Sequence, residues 1–151
     1  MKKIRISVLI FFIFSFIFST NTFGRKVKWR GSGDWRVENR YIMMFDSHNV
    51  ENIIGEVITV GKFVPIKAMS PGIFLIIKTE KEIISIHLGP SWYIENQDIK
   101  IEPKEMVEIK GTRINFKGKP VIIAGQVEKG DKILRVREKN GLPVWIGWKQ
   151  K

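Results

Sequence analysis

His48 and His87 are the only imidazoles in the chain, and no cysteine accompanies them. That sets a low ceiling on its chemistry. A zinc-type centre needs several ligands converging at bonding distance, and without sulfur there is no thiolate nucleophile, no iron–sulfur cluster and no disulfide framework. His87 shares a β-branched run with Ser85 and precedes Gly89-Pro90, a setting for a structural or surface histidine rather than a ligand. Asp46-Ser47-His48 contains the residue types of a hydrolytic triad. Triads are assembled across a fold, however, and three successive side chains diverge, so the stretch reads as a loop or cap. Gly31-Ser32-Gly33 lacks the lysine and spacing of a phosphate loop, and Gly89-Pro90-Ser91 lacks the closing glycine of a nucleophile elbow. The expectation is a protein with no catalytic residues, no metal and no cofactor.

What remains is the chemistry of contact. Ile86-His87-Leu88-Gly89-Pro90-Ser91-Trp92-Tyr93 places an imidazole and two aromatics at a strand exit, and Arg113, Lys117, Lys119, Arg135 and Arg137 can supply charge beside them. Aromatic platforms next to basic side chains hold single-stranded bases by stacking with electrostatic guidance. His87, Trp92, Tyr93 and those five cations are therefore the candidate ligand-binding set. In the competing and preferred reading, Trp92 and Tyr93 plug the open end of a barrel. Trp145 and Trp148 carry the same ambiguity, as core caps first and partner contacts second. The chain has a net charge of +11. With Lys2, Lys3 and Arg5 set aside from its 26 basic residues, 23 remain against 15 acidic ones, a net +8. Such a surplus suits phosphates, anionic lipid or acidic polymers, or serves general solubility.

The elements that must position these residues begin after a targeting segment. Lys2, Lys3 and Arg5 precede an apolar run from Ile6 to Phe18, broken only by Ser7 and Ser15. This is a charged n-region before an h-region, and it is shorter than the roughly 20 apolar residues of a spanning helix. Residues 1–24 are expected to be a signal peptide that is removed, with an uncleaved inner-membrane anchor as the alternative; the expected location is periplasmic. Residues 25–52, with Trp29, Trp35, Tyr41, Met43, Met44 and Phe45, show no period of 2 or 3.6 and read as an extended N-terminal arm or partly ordered loop that packs somewhere.

From Ile53 to Lys151 short β-branched runs alternate with turn residues, the all-β signature. The first run, Ile53 to Val64, contains Gly55 and Gly61, which suit bends or bulges. Two more, from Ile73 and from Ile83, make a hairpin around Thr79-Glu80-Lys81. The stretch from Gly89 to Lys104 has room for a short helix capped by Ser91. In the run Met106 to Phe116, Val107 and Ile109 sit on one parity and Ile114 and Phe116 on the other, which calls for a one-residue slip near Gly111. Lys117-Gly118-Lys119 turns into Pro120–Ala124, and a last run buries Leu134 and Val136 while leaving its arginines exposed. The apolar tail from Gly141 to Trp148 docks on the barrel or on a partner. Five strands with an insert between the third and fourth, plus an extra C-terminal strand, is the plan of a small OB-like Greek-key barrel. A short β-sandwich gives similar runs, but curling closes the edges that so few strands would expose.

On His87-Leu88-Gly89-Pro90-Ser91-Trp92-Tyr93, Gln97, Val107-Glu108-Ile109-Lys110-Gly111, Gly118-Lys119-Pro120 and Gly141-Leu142-Pro143-Val144-Trp145, the chain from Ile83 to Trp148 resembles a family of small exported bacterial domains with a curled β fold. That family includes the domain of magnetosome proteins of the MamS and MamX type. The resemblance implies export and a barrel, and for the magnetosome relatives a role near mineral formation or iron handling. A cytochrome role is excluded, because no Cys-x-x-Cys-His occurs. The leading expectation is a non-catalytic periplasmic binding or assembly module that engages an envelope protein or small anionic ligand through strand edges, the Trp92/Tyr93 rim and the tail. Single-strand nucleic-acid binding is the second expectation. Membrane contact is expected only through an uncleaved signal segment.

Overall fold

A computed structural model describes residues 34–148 of the 151. The expected signal segment and the first part of the expected arm, Trp29 included, lie outside the described residues. Six strands grow out of the β-branched runs: β1 (Glu51–Phe63), β2 (Gly72–Lys78), β3 (Ile83–Pro90), β4 (Met106–Phe116), β5 (Lys119–Lys129) and β6 (Lys132–Arg135). A single helical turn, α1 (Ser91–Ile94), follows β3, and a 3-10 turn, Ile42–Met44, precedes β1. The sheet order is β3-β2-β1-β4-β5-β6, and a parallel pairing of β3 with β5, from Ser85↔Val121 to His87↔Ile123, closes five strands into a ring with β6 appended. This is the small all-β barrel with an extra terminal strand that the run-and-turn pattern implied.

Closure depends on β1 serving two partners. Its residues 51–56 pair with β4 and its residues 56–63 with β2. The ladder to β2 slips between Val57 and Thr59, leaving Ile58 unpaired, and such a bulge bends and twists the strand. The bend thus falls between the two glycines rather than at either. Gly55 answers a different need, since a Cβ there would lie 2.8 Å from the Lys78 carbonyl oxygen where β2 ends. The slip expected in β4 does occur, between Lys110 and Gly111, but the extra residue is Gly125 on the partner strand. β4 therefore keeps its alternation, with Val107 and Ile109 buried on one face and Thr112 on the other, and the strand whose parity shifts is β5.

Period-2 alternation then sorts the side chains. Leu75, Ile77, Ile86, Ile109, Ile122 and Val127, all fully buried, line the interior. Phe74, Ile76, Ser85 and His87 take the opposite, outer face of β2 and β3, where Phe74 pairs with His87 and Ile76 with Ser85. The β4–β5 connection is a two-residue turn with both Lys117 (φ 50°) and Gly118 (φ 80°) in the left-handed region, the geometry that matches strand twist in tight hairpins.

Three other expectations change. Residues 34–50 form turns rather than an extended arm, and Trp35, Tyr41 and Ile42 are buried. Asn39 holds one of those turns through its side-chain oxygen and the Tyr41 N–H, 2.9 Å, and the Asp34 carboxylate accepts from the Ser70 backbone and hydroxyl. Ser91 does not cap α1: the N-cap position is Pro90 and no side chain bonds there. Arg137 is buried, because β6 ends at Arg135 and the chain turns so that Val136 and Arg137 N–H both donate to Gly125 O, 2.9 Å each.

Candidate functional site

The outer face of β2 and β3 is where sequence and structure converge. Its first part is plated by aromatic rings. The Trp35 ring lies over Gly72, where a Cβ would come within 2.7 Å of it, and Trp35 meets Tyr41 and Phe63 edge-on at 5.7 and 6.4 Å. Beneath them sits His87, whose ring centroid is 4.0 Å from Phe63, 5.1 Å from Phe116 and 5.9 Å from Tyr41. Its Nδ1 shares a 2.9 Å hydrogen bond with the Tyr41 hydroxyl. Burial pulls the His87 pKa down to about 4, and the Lys117 charge adds to the effect. Burial likewise pushes Tyr41 well above the ordinary phenol range. Both groups are therefore neutral near pH 7, and the pair is enclosed by apolar rings. It can hold two strands and the lead-in together. It offers no exposed nucleophile or base.

Beyond the plated part the same face opens into a groove of about 660 Å³ lined by Ile76, Ile83, Ser85, Val121, Phe116, Lys117 and Lys119, together with Ile84 and Pro120. Two candidate cations, Lys117 and Lys119, thus come to the edge of the sheet that buries His87, with Lys117 Nζ 5.2 Å from the Phe116 ring. Among the described residues no carboxylate lines this groove.

The other candidates go elsewhere. Tyr93 is buried with its ring 5.4 Å from Trp148 and 6.2 Å from Trp145, its hydroxyl donating to Arg135 O at 3.3 Å. Trp92, half-buried, stacks on Trp148 at 6.1 Å. The tail therefore covers the strand exit. The Arg135 side chain is exposed on β6. Arg137 is wedged between Phe45 and Trp145, 4.7 and 5.5 Å from their centroids, and donates to Ile42 O and Gly141 O. Burial lowers its pKa to about 10.

Arg113 bridges Glu51 and Glu82 at 2.8 and 2.5 Å, which raises its own pKa and lowers that of Glu82. Being exposed, the bridge is a small stabiliser. We expect Arg113→Gln to cost less than about 1 kcal/mol in urea unfolding at low salt and less still in 0.5 M NaCl. A loss of several kcal/mol would mean that the bridge holds β1 to the β2–β3 hairpin.

The sequence reading missed Tyr41, Phe63 and Phe116 as the walls of the His87 box. Their partners lie 46, 24 and 29 residues away along the chain, and only the aromatic richness of the lead-in hinted at them. Asp46 accepts from the His48 N–H and from Asn49 Nδ2, both at 2.9 Å, so that stretch closes a turn on itself. Among the described residues no cluster of three or more histidines and carboxylates is placed to hold a metal ion. Among them, too, no helix is long and apolar enough to cross a membrane.

Compared with known proteins, the MamS/MamX magnetosome protein family matches residues 49–134, the whole ring of strands and nearly all of β6. No curated protein matches the chain. The match covers more than half of the 151 residues, and the chain belongs to that family.

Proposed function

We propose that this member of the MamS/MamX magnetosome protein family is a non-catalytic binding module of the periplasm. In this reading it is an OB-like barrel whose outer groove takes an apolar, negatively charged segment of an envelope protein. The observation that carries the reading is the composition of the groove among the described residues: a floor of Ile76, Ser85 and Val121, a Phe116 wall, two lysines and no acid. Apolar contact supplies affinity there, and the lysines steer and select by charge. The neighbouring concavity, lined by Glu51, Glu56, Glu80, Glu82, Lys78, Lys81 and Arg113, already balances most of its own charge. Membership in a family named for magnetosome proteins, and the charged segment and apolar run over residues 1–18, support placement in the envelope.

A photo-crosslinking residue placed at Ile83, exposed at the groove's edge, tests this in the native envelope. The expected result is a discrete crosslinked protein whose yield falls about tenfold in Lys117→Glu/Lys119→Glu, the scale on which charge steering acts. Equal yield in that variant would remove the groove from the function. The nucleic-acid alternative starts with less: Arg113 is engaged by two carboxylates and Arg137 is buried. Saturable capture of a single-stranded oligonucleotide, weakening steeply with salt, would replace the protein partner.

A further inference from the structure

A further concavity lies on the other side of the sheet. It is a pocket of about 380 Å³ where the barrel's interior meets the irregular segment after α1. Ile73, Leu75, Leu88 and Leu134 form its barrel side, Ile94, Ile99 and Ile101 its cover, and Val60 its lip. Val60 belongs to the inward parity of β1, pairing with Leu75, yet is 37% exposed. The packed interior, with Leu75 fully buried, thus meets solvent at its Val60 end. The cover is pinned on both sides of the opening. Lys62 Nζ meets the Glu95 carboxylate at 2.9 Å, and Lys129 Nζ meets Glu105 at 3.1 Å while also donating to Lys100 O. These ties link the cover to β1 and β5, and Ile99 of the cover is itself buried.

We propose that this pocket binds an uncharged apolar small molecule with the bulk of a two-ring aromatic or a medium-length alkyl group. Its volume lies in the range of small-ligand sites, and its walls are mostly aliphatic with a few polar groups at the mouth, the composition such sites have. Apolar cavities stay dry and take apolar guests, because their walls forgo contacts that a guest restores. The mouth carries no net charge to draw an anion: Glu95 is paired with Lys62, and Glu102 stands beside Lys100. Gln97, whose Nε2 donates to Tyr93 O at 2.9 Å, keeps its carboxamide oxygen as an acceptor for a lone donor on the guest. This site is separate from the lysine groove and, unlike it, presents balanced charge.

N-phenyl-1-naphthylamine, an uncharged fluorophore of a naphthyl group linked to a phenyl ring that brightens in apolar surroundings, tests it on the full chain. We expect saturable one-site enhancement that Val60→Trp, filling the lip, weakens at least tenfold. Ile101→Trp, from the cover, should do the same, so one misfolded variant does not decide the matter. Lys117→Glu/Lys119→Glu should bind the dye as the parent does. Absence of saturable binding, undiminished binding in both tryptophan variants, or loss in the lysine variant overturns the assignment. The last outcome would move the dye to the outer groove without touching the crosslinking result.

Discussion

Trp145→Ala is expected to cost about 3–5 kcal/mol, the range for truncating a fully buried large aromatic, although Trp145 lies beyond the family-matched residues. The ring is 1% exposed, packs edge-on against Trp35 at 5.8 Å, and sits so close to Gly89 that a Cβ there would come within 2.9 Å of it. Its Nε1 donates to Trp35 O at 2.9 Å, which anchors the tail to the lead-in across 110 residues of sequence. Removing the indole opens a cavity, leaves that carbonyl unpaired and strips one ring from the Arg137 guanidinium, already poorly solvated. Urea unfolding measures the loss. Trp35→Ala should cost a similar amount, and the double variant clearly less than the sum of the two, because residues in contact couple. A Trp145→Ala cost under 1 kcal/mol would show that the tail merely rests on the barrel. In that case Trp145 and Trp148 return to the pool of partner-contacting residues.

This dependence also explains which parts of the fold the sequence could disclose. Strand runs such as Ile73–Ile77 and Ile83–Leu88 announce themselves through local β-branched density, a signal carried by neighbouring residues, whereas the parity change in β4 marks burial on both its faces and the slip itself lies at Gly125 of β5. The lead-in carries no such signal. Trp35, Tyr41 and Ile42 are buried by turns that fit a surface already made by β1, β2 and β3, so no period marks them. Arg137 misleads for a related reason. Alternation from Leu134 and Val136 points it outward, but alternation holds only while the strand lasts, and β6 stops at Arg135. For the candidate set the division is similar. Lys117 and Lys119 flank a hairpin turn legible in the sequence, but His87 comes beside them through the parallel β3–β5 pairing, which no turn announces. That Trp92 and Tyr93 meet Trp148 could not be read from either segment alone.

The buried histidine makes a prediction about acid. His87 titrates at about 4 in the folded chain and at 6.5 when unfolded. Between those values the unfolded chain binds a proton that the folded chain refuses, and stability rises with pH wherever the unfolded state holds more protons. The stability is therefore complete above about pH 6.5 and is lost as pH falls toward 4, a total of about 3 kcal/mol from a shift of this size. The loss follows from where the ring is held: protonating it puts a cation among Tyr41, Phe63 and Phe116 with Lys117 nearby. The folded carboxylates whose pKa is lowered, Asp46, Glu82 and Glu105, start from values near 4 to 4.5, so their acid losses fall mostly below this window. Urea unfolding at pH 7 and pH 4.5 should show the drop in the parent chain, whereas His87→Phe, which fills the box without a titrating group, should be nearly flat across the same interval. An equal drop in both proteins would place the acid sensitivity elsewhere. A parent chain with unchanged stability would mean that the imidazole accepts its proton in place, with the Tyr41 hydroxyl and solvent carrying the charge that the rings cannot.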